Sequence, residues 1–246
     1  MQPRTQTLEV WGDFACFSRP EMKVERFSYP VITPSAARAI FDAIYWKKTM
    51  DFYWQVEKIE LLKPPRYIAL RRNEVKDKIS SASVAKWMKG TFEPDPIFAD
   101  GGKDLLGTDQ KGRTQRQTMA LKNVAYRIYA HAEPRSGGQE ALNQIEPQFK
   151  RRARSGQCIY QPYLGCREFA AFFRYVEQTE QMSSPADVNL DIGLMLYDVF
   201  DLSRTGASTD APSVSLFDAI ILGGVLQVPH YCSDAVLKPG EEARPC

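Results

Sequence analysis

The segment TPSAARAIFDAIYWKK, residues 33–48, decides the fold of this chain because it predicts the helix that follows the first strand. Thr33 is a favourable N-cap residue, and Pro34 suits the first helical position. The apolar side chains that recur at helical spacing, and so predict a buried stripe, are Ala37, Ile40, Phe41 and Ile44. The segment closes with two aromatic residues beside two lysines, and lysines at a helix C-terminus complement the helix dipole.

Strand patterns surround this helix on both sides. TQTLEVWGDFACF (5–17) predicts a strand before it, and MDFYWQVEKIELLKPPRYIALRRNEV (50–75) predicts two strands joined at Lys63–Pro65. RQTMALKNVAYRIYAHAEP (116–134) is typical of a long strand. GGQEALNQIEPQFKRRARSGQ (137–157) predicts a second helix with Pro147 as an internal weakness. CIYQPYLGCREFAAFF (158–173) predicts a further strand.

The order of these elements indicates an α+β protein with a ferredoxin-like, RRM-like βαββαβ core. The polar stretch at about 76–112 is expected to be an insertion, with a short helix around ASVAKWMKG (82–90). LDIGLMLYDVF (190–200) and VSLFDAIILGGVLQV (214–228) predict a small antiparallel β region with turns at Ser203–Pro212 and Gly223–Gly224. We therefore expect one domain at 1–175 and a small β region at 176–246.

Composition excludes several classes of protein. The chain has 246 residues, of which 43% are hydrophobic, and no apolar run approaches the roughly 20 residues that span a bilayer. Its first residues lack the apolar core of a signal peptide, which predicts a cytoplasmic protein that does not bind a membrane. The five cysteines form no CxxC pair, the two histidines are far apart, and no phosphate-binding glycine loop is present. We expect neither a metal site nor a cofactor.

Charge is distributed unevenly along the chain. Residues 113–154 contain nine Lys or Arg and three Asp or Glu, whereas residues 187–246 contain three and nine. This asymmetry indicates either a basic face for a polyanion or ordinary solvated surface charge.

Three long blocks resemble one family. GDFACFSRPEMKVERFSYPVITPSAARAIFDAIYWKK (12–48), RQTMALKNVAYRI (116–128) and RRARSGQCIYQPYLGCREF (151–169) occur in the order typical of the Cas-five subunit, d subtype, of type I-C CRISPR-associated Cascade complexes, in the RAMP superfamily. The resemblance implies a subunit that binds the repeat-derived 5′ handle of CRISPR RNA and cleaves precursor RNA within the repeat. The implied reaction is metal-independent attack by a ribose 2′-OH.

The resemblance also implies the partners of the chain. These are CRISPR RNA and the backbone and large subunits of the complex, with target DNA contacted indirectly. Two other functions stay open, namely a handle-binding structural subunit without nuclease activity and a nucleic-acid-binding protein unrelated to CRISPR.

The candidate catalytic residue is the tyrosine of the family's IYW motif, which falls on Tyr45. It takes part in proton transfer, orients the 2′-OH, or only packs at a helix end. Its ordinary pKa near 10 makes it a poor base unless nearby cations lower that pKa. The family's lysine–histidine pair is absent, because residues 140–147 contain neither type and match best through Gln144, Ile145 and Glu146. Lys150 and His131 are the candidates to take its place, although His131 also fits a packing role.

Basic residues near these blocks are expected to bind RNA phosphates. They are Arg19, Lys23, Arg26, Lys47, Lys48, Arg113, Arg116, Lys122, Arg151, Arg152, Arg154 and Arg167.

Overall fold

The computed structural model describes residues 3–22, 24–47, 49–75, 78–90, 92–94, 113–135, 138–177, 179–206 and 210–238. Residues 95–112 of the expected insertion therefore lie outside the described residues, and so do Lys23 and Lys48. Within the described part of the chain, no helix is both long enough and apolar enough to cross a membrane.

Two long helices and one short helix lie among ten strands in the described part of the chain. The helices are α1 (Pro34–Ile44), α2 (Ser81–Met88) and α3 (Gly138–Arg154). The strands are β1 (Gln6–Ala15), β2 (Arg26–Phe27), β3 (Phe52–Leu61), β4 (Tyr67–Val75), β5 (Arg113–Pro134), β6 (Phe172–Tyr175), β7 (Leu190–Asp198), β8 (Ser215–Leu222), β9 (Val225–Gln227) and β10 (Val236–Leu237).

All ten strands belong to one sheet. Its main path runs β10-β8-β9-β3-β5-β1-β6, while β2 and β4 pair with β5 and β7 pairs with β8. At the centre, β5 pairs with β3 on one side and with β1 on the other, and β1 pairs with β6. All three pairings are antiparallel. The molecule is thus a mixed α/β protein with one large, mainly antiparallel sheet and few helices.

The first helix begins where the sequence predicts. The Thr33 side chain accepts a hydrogen bond from the backbone N–H of Ala36 (3.2 Å), which satisfies one of the free donors at the helix start. Phe41 on α1 then stacks on Phe149 of α3, with ring centroids 5.1 Å apart. Trp54 of β3 contacts both rings, at 5.3 Å and 4.4 Å, so this aromatic cluster joins two helices to the sheet.

The predicted strand at 158–173 is wrong for most of its length. Residues 157–171 form an irregular loop with one isolated bridge between Tyr163 and Ala170, and only Phe172–Tyr175 pairs as a strand. Pro162 cannot donate to a ladder. Gly165 turns with φ +83° so close to the Cys16 carbonyl oxygen that an added Cβ would lie 2.0 Å from it. The loop therefore folds back on the end of β1, and Gly165 serves this internal contact.

The C-terminal strands and their Gly223–Gly224 turn are present as predicted, but they do not stand apart from the main sheet. Val225 to Gln227 pair with Lys58 to Glu60 of β3, which makes β9 a continuation of that sheet. The connection from β7 to β8 includes residues 207–209, which lie outside the described residues. The domain division at residue 175 stays a prediction.

Replacement of Phe149 by Ala should lower the free energy of unfolding by about 3–5 kcal/mol, because it leaves a cavity between two fully buried rings. Phe149→Leu keeps most of the volume and should cost less than about 1.5 kcal/mol. Chemical denaturation of the purified chain measures both values. Equal losses for the two variants would contradict the role given to the aromatic cluster.

Candidate functional site

The chain leaves α1 at Ile44, one residue before the tyrosine that the sequence singles out. The backbone N–H of Tyr45 donates to the carbonyl oxygen of Phe41 (2.9 Å), but Tyr45 itself is extended, with φ −149° and ψ 113°. The Nε of Arg152 donates to the carbonyl oxygen of Ile44 (2.6 Å), and the N–H of Ile159 donates to that of Ala43 (2.6 Å). The last carbonyls of α1 are thus satisfied by neighbouring elements, which allows the helix to end there. Lys47 consequently lies after the helix and not on its last turn.

An open cleft lies between this exit and α3. Its volume is about 450 Å³, and its lining residues are Tyr45, Lys47, Met50, Asn143, Gln144, Pro147 and Gln148. The phenol, an ammonium group and several side-chain amides therefore meet at one surface. Such groups can bind and polarise a phosphodiester by hydrogen bonds and charge.

The phenol of Tyr45 is half-buried and packed on one side. Its ring stacks against Phe52, with centroids 6.4 Å apart, and its hydroxyl donates to the Sδ of Met50 (3.7 Å). Burial raises the pKa of Tyr45, and the guanidinium of Arg152 opposes this without reversing it. The lowering of the pKa that a base role would need is therefore absent. The hydroxyl is protonated at neutral pH, which suits a hydrogen-bond donor.

The positions that match the family's lysine–histidine pair separate in space. Gln144 lines the cleft, Ile145 is fully buried in the core, and Glu146 accepts a hydrogen bond from the backbone N–H of Arg4 (2.7 Å). The cleft has no imidazole among its lining residues, and an amide at Gln144 can orient a substrate but cannot accept its proton.

The structure does not bring Lys150 into this cleft. Its ammonium pairs with Glu177 (3.1 Å) and lies over the ring of Tyr175, 5.4 Å from the centroid. It lines a different, polar depression together with Arg4 and Glu146. The candidate role of Lys150 at the tyrosine is not supported by this placement, because its charge is already neutralised by a carboxylate.

His131 is also held elsewhere. Its Nδ1 contacts Glu57 at 2.5 Å and its Nε2 contacts Glu133 at 3.1 Å. Burial alone lowers the pKa of His131, but the hydrogen bonds and charges of Glu57 and then Glu133 outweigh burial and raise it. In return, the hydrogen bond from His131 lowers the pKa of Glu57. Because both ring nitrogens are occupied by carboxylates, His131 fits a structural role on β5.

The predicted RNA-binding residues fall into three groups. Several already pair with carboxylates: Arg19 with Glu21, Arg26 with Glu74 and Glu168, Arg116 with Glu25, and Arg154 with Glu177. Arg152 serves the end of α1. A third group is exposed, with no carboxylate partner in the described part of the chain: Lys47, Lys122, Arg151 and Arg167. Arg151 extends from α3 beside the cleft, where it donates to Gln148 (3.0 Å). Of Arg113, only the backbone in β5 is described.

On one face of the central sheet, charged side chains of the strands pair with one another and with the segment around Ser183. Arg127 of β5 is almost fully buried and donates to Glu9 (2.8 Å), Glu60 (2.8 Å) and Ser183. Tyr129 donates to the same Glu60 (3.1 Å). RRM-like folds stack bases on an open sheet face, but here the segment around Ser183 packs on it. The tyrosine cleft is therefore the better candidate surface.

One ion-pair network of α1 carried no distinctive sequence signal. Arg38 of α1 makes ion pairs with Asp42 (2.7 Å) and with Asp198 of β7 (2.7 Å). The i,i+4 spacing of Arg38 and Asp42 is a weak indication of the first pair, whereas Asp198 is distant in sequence. Among the described residues, no group of three or more His, Cys, Asp or Glu is placed to hold a metal ion.

Comparison with known proteins identifies a matching family and similar proteins. A family model described as Cas_Cas5d, CRISPR-associated protein (Cas_Cas5), matches residues 6–229. The chain is 40% identical to "CRISPR pre-crRNA endoribonuclease Cas5d" of Mannheimia succiniciproducens, over 93% of this chain and 96% of that protein. It is 38% identical to the protein of the same name from Thermus thermophilus, over 78% of this chain and 72% of that protein.

Solved structures resemble the fold at lower sequence identity. A crystal structure of a CRISPR-associated protein has a TM-score of 0.61 at 20% identity and covers 95% of this chain and 96% of its own. A functionally uncharacterized protein from Streptococcus mutans has a TM-score of 0.57 at 16% identity, with 95% and 97% coverage. At these identities the two structures support the fold alone.

His131→Gln should remove a pH-dependent contribution to stability. Because the pKa of His131 is raised above its ordinary 6.5, its contribution is complete below that pH and is lost as pH rises through the raised value. The lowered pKa of Glu57 makes its contribution complete above its ordinary 4.5. The difference in unfolding free energy between wild type and variant should therefore be largest, about 1–3 kcal/mol, between these two pH values.

Denaturant titrations across that pH range measure the difference. Glu57→Gln removes the main partner and should flatten the same dependence. A wild-type advantage that grows steadily as pH rises from about 6.5 to 9 would contradict the proposed protonated pair.

Proposed function

Because this chain belongs to the Cas_Cas5d family of CRISPR-associated proteins, we propose that it is an endoribonuclease that binds precursor CRISPR RNA and cuts it. Two relatives of about this identity carry the name of that activity and align over most of this chain. The observation that supports the activity best is the cleft in which the half-buried phenol of Tyr45 lies beside Lys47 and faces the amides of α3.

The reaction that suits these groups is transesterification within the RNA strand. The 2′-OH oxygen bonds to the adjacent phosphorus while the bond from phosphorus to the 5′ oxygen of the next nucleotide breaks. The products are a 2′,3′-cyclic phosphate and a 5′-OH. Negative charge builds on the phosphoryl oxygens in the transition state, so preorganised cations and donors aimed at them lower the barrier.

In this scheme Tyr45 is the proton donor. Its raised pKa keeps the phenol protonated, so it can give a proton or a hydrogen bond to the departing 5′ oxygen. Lys47 is exposed at the same cleft and stabilises the charged phosphoryl group. Gln144 and Gln148 hold the strand by hydrogen bonds. None of the residues that line the cleft is a base at neutral pH, so in this scheme the proton of the 2′-OH passes to water, which the open cleft admits.

A second function has a specific observation in its favour. The positions of the family's lysine–histidine pair hold Gln144, Ile145 and Glu146, and the nearest alternatives, Lys150 and His131, are neutralised by carboxylates elsewhere. A chain without a base in the cleft fits a subunit that binds the 5′ handle without cutting it. Tight binding of repeat RNA with no cleavage would favour this function.

We further propose that the core is ferredoxin-like. The six elements β1, α1, β3, β5, α3 and β6 follow the βαββαβ order, and the strand order β3-β5-β1-β6 with antiparallel neighbours is consistent with it. The subtype, type I-C, and the partners, namely the backbone and large subunits of a Cascade complex and indirectly target DNA, are proposals that rest on the family resemblance. A cytoplasmic location, where the precursor RNA is made, is part of the same proposal.

Tyr45→Phe should slow single-turnover cleavage of repeat RNA in EDTA by about 10²- to 10⁴-fold, the usual contribution of a positioned proton donor. Affinity should change little, because the ring and its stack on Phe52 are kept. A substrate with a single 2′-deoxy nucleotide at the cut site should not be cut by the wild type. Cleavage by Tyr45→Phe at the wild-type rate would reduce Tyr45 to a packing residue.

Arg151→Ala should weaken binding of repeat RNA and reduce the slope of log affinity against log salt by about 0.7, the loss of one phosphate contact on a single strand. Arg154→Ala is the matched control, because Arg154 lies on the same helix end but pairs with Glu177. Its slope should change less. Filter binding at several salt concentrations measures the affinity and the salt slope of each variant. An equal effect of the two variants would contradict the distinction between cations that pair with a carboxylate and cations that do not.

A further inference from the structure

A second cleft lies beside Trp46, the residue that follows Tyr45. Its volume is about 390 Å³, and its walls include Trp46, Phe52, Phe200, Arg38, Arg135 and Arg204. This volume lies within the range of small-molecule pockets and is ample for one nucleobase. The proposed reaction does not use this cleft.

Two aromatic side chains of the cleft are exposed, and the backbone of one of them, Phe200, is held by a hydrogen bond. Trp46 is 51% exposed and Phe200 is 56% exposed. The backbone N–H of Phe200 donates to Asp198 (3.0 Å), and the Nε of Arg38 donates to the same carboxylate (2.7 Å). Exposed aromatic side chains are the platforms on which proteins stack the bases of single strands.

The charges of the cleft favour a neutral ligand. Arg38 pairs with Asp42 and Asp198, Arg135 pairs with Asp51 (3.1 Å), and Arg204 pairs with Asp201 (3.1 Å). A phosphate would have to compete with these carboxylates for every guanidinium, and they would repel it. An uncharged aromatic ring makes no such demand, so a base fits this cleft better than the sugar–phosphate backbone does.

The two clefts share a wall. Phe52 lines the second cleft and stacks against Tyr45, which lines the first. Tyr45 and Trp46 are consecutive, and the extended backbone at Tyr45 allows their side chains to serve different clefts. An RNA strand with its scissile phosphate at Tyr45 therefore has a neighbouring base within reach of Trp46.

We propose that the cleft between Trp46 and Phe200 binds one unstacked nucleobase of the repeat RNA, within about two nucleotides of the cut, and so sets the register of cleavage. This rests on the proposed function, since it concerns the same RNA strand. Trp46 and Phe200 are positioning residues here and take no part in proton transfer. Stacking rather than base-edge hydrogen bonds would supply most of the affinity.

The test combines protein variants with repeat RNAs that carry a single abasic nucleotide at successive positions around the cut. For the wild type, one position should reduce affinity roughly 5- to 100-fold. Trp46→Ala should bind intact RNA more weakly by a similar factor and should show no further loss at that position. Phe200→Ala should behave in the same way. Trp46→Phe keeps a ring and should keep the abasic sensitivity.

Trp11→Ala is the matched control, because it removes another exposed indole, on β1, that packs against Phe172. Its abasic profile should equal that of the wild type. If the losses caused by Trp46→Ala and by the abasic nucleotide simply add at every position, the base-binding cleft is ruled out while the proposed function stands. If the wild type does not bind intact repeat RNA, the proposed function fails and this inference fails with it.

Discussion

One hydrogen bond organises the candidate site: the Nε of Arg152 donates to the carbonyl oxygen of Ile44. A carbonyl at a helix end that is buried without a partner costs about 1–3 kcal/mol, so this contact stabilises the end of α1 where it is. It also fixes the end of α3 against the end of α1. Because the helix ends at Ile44, the extended residue Tyr45 turns its phenol towards α3. Trp46 can then line the second cleft.

The surroundings of this contact also set the pKa of Tyr45. Packing against Phe52 and Met50 raises the pKa of the phenol, and the charge of Arg152 offsets part of that effect. A tyrosine in this environment is a donor in the pH range where cells operate. The lining of the cleft holds no histidine, so under the proposed reaction the attacking 2′-OH would lose its proton to water.

Carboxylates decide which basic surfaces are available to RNA. Composition leaves open whether residues 113–154 form a basic face or ordinary surface charge; in the structure Glu177 pairs with two of those cations, and Glu9 and Glu60 enclose Arg127. The cations that face solvent without such partners in the described part of the chain lie at Lys47, Lys122, Arg151 and Arg167. Two of these four cations, Lys47 and Arg151, lie beside the tyrosine cleft, whereas Lys122 is on β5 and Arg167 is in the loop at 157–171.

Local patterns predicted the local elements well. Thr33 and Pro34 correctly predicted the start of α1, and the β propensity of residues 116–134 predicted β5. The strand prediction for residues 158–173 was wrong because β propensity carries no information about the contact between Gly165 and Cys16, which makes the loop fold back. The ion-pair partners of His131 and Lys150 could not be predicted from the sequence either. Glu57 and Glu177 are distant from them along the chain and contact them only after folding.

The central claim is that Tyr45 acts as a protonated donor in RNA cleavage. Site-specific replacement of Tyr45 by a ring-fluorinated tyrosine lowers the pKa of the phenol and changes little else in size. The decisive measurement is the single-turnover cleavage rate in EDTA as a function of pH for the native and fluorinated proteins. A donor predicts a rate that falls at high pH, with the fall moved to lower pH by fluorination. A rate that instead rises as the fluorinated phenol ionises, or a pH profile unchanged by fluorination, would contradict it.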